Sequence, residues 1–62
     1  MAPAPTTCSE LEAALTTDVP LAAAWRGLPA GHQEEYGRWI SAAEATVDRD
    51  VRIARLRHRL LG

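Results

Sequence analysis

The sequence predicts an all-α fold, a small bundle of three to four short helices behind a disordered N-terminal tail. Two features carry this. Apolar residues recur at spacings of three and four, the repeat of one helix face. The segments bearing that repeat are divided by helix start and stop signals, among them Asp18-Val19-Pro20 and Gly27-Leu28-Pro29. A length of 62 residues limits the chain to one domain, placed at residues 9–62 behind a lead-in at 1–8.

Residues 1–7 are rich in proline and threonine and hold no large hydrophobe beyond Met1, so disorder is expected there. Ser9-Glu10-Leu11-Glu12 reads as a capping box, with Leu11, Ala14 and Leu15 on one face of a first helix ending near Thr16. Asp18 caps the second helix, with Pro20 in its first turn, where the missing amide hydrogen costs nothing. Leu21, Ala24, Trp25 and Leu28 form its apolar face, and Gly27, expected in the left-handed conformation, ends it with Pro29. The short connection makes helices two and three neighbours.

The third helix, over residues 31–44, carries the clearest stripe: His32, Tyr36, Trp39, Ile40 and Ala43, with Val47 as an extension. Glu34 and Arg38 on its wet face are spaced for an ion pair. Asp48 is expected to cap a fourth helix running to Leu61, with Ile53, Leu56 and Leu60 on one face. Val51, Ala54, His58 and Leu61 form a second apolar face nearly opposite, and Arg52, Arg55 and Arg59 run between the two. The expected core is Leu15, Leu21, Trp25, Leu28, Tyr36, Trp39, Ile40, Ile53, Leu56 and Leu60, with Trp39 at its centre.

A chain this short buries a thin core, and nothing staples it. Cys8 is the sole cysteine, and with His32 and His58 it is too scattered for structural zinc. The net charge of −1 conceals an asymmetry. Residues 1–47 hold two arginines against six acids, a net of −4, and residues 48–62 five arginines against two acids, a net of +3. Oppositely charged ends favour head-to-tail packing as readily as anion binding. No secretion signal or span of transmembrane length is read, which points to the cytoplasm.

Leu28 to Ile40, holding His32, Glu35-Tyr36 and Trp39-Ile40, and then Arg49, Arg52, Ile53 and Ala54, resemble the bacteriocin-protection, YdeI/OmpD-associated family of small bacterial helical modules. Family members typically read Leu-x-x-x-His-x-x-Glu-Tyr-x-x-Trp-Ile, then Thr-Arg-x-Arg-Arg-Ile-Ala after a short gap. Ala14-Leu15, Asp18, Ala24 and Trp25 also fall where the family places similar residues, so the resemblance covers Leu11 to Arg59. It implies a stress- or antimicrobial-tolerance setting and a free-standing copy of a domain that elsewhere often follows another. Val51 replaces the family's middle arginine, and Glu44 a lysine; both changes remove positive charge.

No catalytic, cofactor-binding or metal site is read from the chain. His32 and His58 lack partners at a recognisable spacing, and no His-x-x-x-His pair exists. Ser9 and Thr46 stand in no nucleophile context, and nothing around Cys8 would activate a thiol. Glu34 and Glu35 are adjacent, so on a helix they diverge. A helix-turn-helix reading fails because the recognition helix would carry three glutamates against Arg38. The candidate partner-binding surface is Arg52, Arg55 and Arg59 with Val51, His58 and Leu61. Its partner would be another protein or a second copy, with His58 as a weak pH gate in a self-contact. Nucleic acid held by the arginines is the alternative. No small-molecule substrate is evident.

Overall fold

The computed structural model describes residues 8–62, so nearly all of the expected lead-in lies outside the described residues. Four helices follow in order: α1 (Ser9–Thr17), α2 (Val19–Arg26), α3 (Ala30–Ser41) and α4 (Thr46–Leu61). The long C-terminal α4 packs against each of the other three, and α1 also packs on α2. Leu11, Leu21, Trp25, Ile40, Ile53 and Leu56 form the buried cluster, with Leu15, Leu28, Tyr36 and Leu60 partly buried against it. Of the expected core, Trp39 alone turns out to be exposed.

Cys8, expected at a disordered edge, is instead the N-cap of α1 and packs partly buried against the core. Its extended backbone lets its carbonyl accept from the Glu12 amide at 3.0 Å, closing the first turn. The capping box therefore does not form: the Ser9 hydroxyl, already inside the helix, donates to Glu10 at 3.4 Å. The cap of α2 does form, with Asp18 Oδ1 accepting from the Leu21 amide at 3.2 Å. Gly27 departs from expectation. It keeps right-handed helical angles, and the turn closes through the Leu28 amide bonded to the Trp25 carbonyl at 3.1 Å. Pro29, which cannot donate, completes the stop.

Helix α3 joins α2 at the turn, where Gln33 Nε2 donates to the Trp25 carbonyl at 2.8 Å. Beyond that it lies on α4, so α3 is a neighbour of α2 at the turn and packs along α4 instead. Its buried stripe is also turned from the one predicted. Ile40 and Gly37 are buried and Gln33 is half-buried, while His32 and Trp39 are exposed. Gln33 can face inward because its amide has the Trp25 carbonyl as partner, and Gly37 has no side chain to hold the elements apart. Neither residue counts in an apolar pattern, so the pattern points about one residue step too far toward Trp39.

Helix α3 ends at Ser41, three residues before the predicted end at Glu44, and α4 begins at Thr46, two residues before Asp48. Ala45 is the N-cap of α4, and Asp48 lies within the first turn, where its charge still suits the helix dipole. Val47, expected to extend the stripe of α3, belongs to α4 and is 67% exposed. The α3–α4 link is held by Arg49. Its Nε donates to the Ala43 carbonyl at 2.8 Å and its Nη2 to the Glu44 carbonyl at 3.0 Å, satisfying two backbone acceptors of the link itself.

Candidate interaction surface

Because α4 meets all three other helices, its sides face different surroundings. Ile53, Leu56 and Leu60 point to the core. On the flank nearest α1 and α2, two ion pairs tie the ends of the chain together. Arg49 Nη1 lies 3.1 Å from Glu10 Oε2, and Arg57 Nε lies 2.7 Å from Asp18 Oδ2. Thr46 Oγ1 adds a bond to the same Glu10 oxygen at 3.3 Å. The Glu10 carboxyl is held below its ordinary value, first by its own backbone amide and then by Arg49 and Thr46. Asp18 is lowered by Arg57 and by the Leu21 amide it caps. Among the described residues no arginine of α4 pairs with Asp48, Glu34, Glu35 or Glu44. Only the Glu34–Arg38 pair within α3 appears as predicted, at 2.9 Å on an open surface.

On the flank facing α3 lies an open groove of about 360 Å³, lined by Glu35, Tyr36, Trp39, Arg55, Leu56 and Arg59. Trp39 is 38% exposed at its edge. Consecutive helix residues stand about 100° apart, so burying Ile40 swings Trp39 to the flank. Arg52 closes one side: its Nη1 donates to the Trp39 carbonyl, and its Cζ lies 5.5 Å from the indole centroid. Arg55 and Arg59 are one helical turn apart and exposed, and among the described residues neither makes an ion pair or hydrogen bond. The groove is therefore an aromatic wall beside two uncommitted guanidinium groups, with Glu35 as the acid at its rim.

The outward side of α4 carries Val51 at 49% and Leu61 at 39% exposure, with Ala54 and His58 also exposed. The candidate surface read from the sequence thus divides. Arg52 is spent inside the chain, Arg55 and Arg59 belong to the groove, and Val51, His58 and Leu61 form a separate outer face. Sequence reasoning missed Trp39 as a surface residue and Val47 as part of α4. The inward turn of Gln33 and Gly37 decided the first, and no signal in an apolar pattern reports it.

A bundle built on one central helix, with an open arginine–aromatic groove, is a small helical module. Among the described residues, no helix is long and apolar enough to cross a membrane, and no group of three or more histidine, cysteine or acidic residues could hold a metal ion. The chain belongs to the bacteriocin-protection, YdeI or OmpD-associated family, whose model matches residues 8–61. Neither a curated protein nor a solved structure matches it.

Proposed function

We propose that this chain is a non-catalytic interaction module that docks on another protein through the groove between α3 and α4, in the setting of tolerance to antimicrobial peptides. One observation carries the reading: Trp39 stands at the surface beside Arg55 and Arg59, which form no ion pair among the described residues. Tryptophan and arginine are the residue types that most often anchor protein interfaces. An exposed indole stiffened by Arg52 loses little conformational freedom on binding, and free guanidinium groups offer forked bonds to a partner's carboxylates. The family's description as bacteriocin-protection supports the setting. The cytoplasmic location expected from the sequence is part of the same reading.

Site-specific photo-crosslinking in the native cell tests it. A crosslinker at Arg59 is expected to trap one protein, and the same group at exposed Val19 on α2 is not. Trp39→Ala should abolish the capture while leaving the helical content intact. Equal trapping at both positions, or capture indifferent to Trp39→Ala, overturns the docking site. Capture lost after nuclease digestion would move the reading to nucleic acid.

A further inference from the structure

The outer face of α4 is more regular than an incidental apolar patch. Val47, Val51, Ala54, His58 and Leu61 follow one another at intervals of four, three, four and three, the spacing of a coiled-coil seam. All five are exposed. Residues flanking that seam on either side are Asp48 and Arg55 along one edge and Asp50 and Arg57 along the other. Each edge is acidic toward the start of α4 and basic toward its end. Among the described residues Asp48, Asp50 and Arg55 make no ion pair, and the bond of Arg57 to Asp18 uses its Nε alone.

We infer that α4 pairs with α4 of a second copy of this chain, side by side and antiparallel. Take a two-fold axis passing between Arg52 and Ile53. Val51 then meets Ala54 of the second copy and Val47 meets His58. The same axis sets Asp48 against Arg55 and Asp50 against Arg57, and symmetry doubles both, giving four cross-pairs. A parallel arrangement would match only Asp50 with Arg55 and would stack His58 on His58. The helix dipoles also favour opposed directions. This is the head-to-tail packing that the charge asymmetry of the chain favours, placed on one face with one register. Trp39 and Arg59 lie outside the seam, so the dimer leaves most of the α3–α4 groove open. Arg55 stands on the border of both.

Sedimentation equilibrium on the full chain tests the register through its charges. The parent is expected to form a reversible dimer, and a Val51→Glu, Leu61→Glu double variant to be monomeric. Asp48→Arg alone and Arg55→Asp alone each turn two attractive contacts per dimer repulsive, so each should weaken association about tenfold. An equimolar mixture of those two variants restores the opposed charges and should recover parental association. Circular dichroism with thermal melting checks that each variant stays folded. A parent monomeric at about 1 mM, the weak end of the affinity scale, overturns the proposal. Charge reversals without effect, or no recovery in the mixture, overturn the antiparallel register.

Discussion

Arg52 lies against Trp39, one guanidinium nitrogen on its carbonyl and its Cζ 5.5 Å from the centre of its ring. The two residues are thirteen apart in sequence and join α4 to α3. One arginine thereby fixes both the backbone and the exposed indole beside the groove. Arg52→Ala should cost about 1–2 kcal/mol, combining a charge-assisted bond with a cation–π contact. Arg52→Lys should recover less than half, since an ammonium cannot serve both partners through a planar fork. Urea unfolding midpoints measure both.

The two tryptophans should respond unequally to truncation. Trp25 is 9% exposed within the core, and Trp25→Ala should cost about 3–5 kcal/mol, most of what a domain this small has. Trp39, expected from the sequence at the centre of the core, should lose only about 1–2 kcal/mol at 38% exposure. Thermal melts should keep a cooperative transition for Trp39→Ala and lose it for Trp25→Ala.

Two glycines of α3 should behave oppositely. Gly37 is buried, and Gly37→Leu would force a bulky side chain into packed surroundings at about 1–3 kcal/mol. At Gly31 an added Cβ meets nothing within 4 Å, so Gly31→Ala should stabilise the fold by about 0.5–1 kcal/mol through helix propensity. Melting temperatures moving in the same direction for both would mean that α3 is seated differently.

Acid should loosen the cross-links to α4. Glu10 and Asp18 both have depressed folded-state values, so their stabilisation is present above the ordinary carboxylate range and is lost as pH falls through the lowered values. Asp18→Asn can still cap α2 but loses the charge that holds Arg57. Its melting temperature should lie below the parent's at neutral pH and converge on it in acid. A gap that stays constant from neutral pH down to about pH 2 would mean the ion pair contributes nothing.

The sequence by itself determined the helices, because their signals are local. Asp18 caps where it was expected, Pro29 stops α2, and the faces of Leu21 with Trp25 and of Ile53, Leu56 and Leu60 turn inward as their spacing dictates. The family followed from the same stretch, since Trp39-Ile40, Arg49, Arg52 and Ile53 stand in order along the chain. Only the tertiary structure decided what those residues do. Arg49 clasps Glu10 thirty-nine positions away, and Arg57 does the same with Asp18; neither pairing has a local signature. Trp39 came to the surface because a hydrogen-bonded glutamine and a glycine could take the inward side of α3. A polar residue with a satisfied amide and a residue with no side chain both pack well, yet an apolar pattern counts neither.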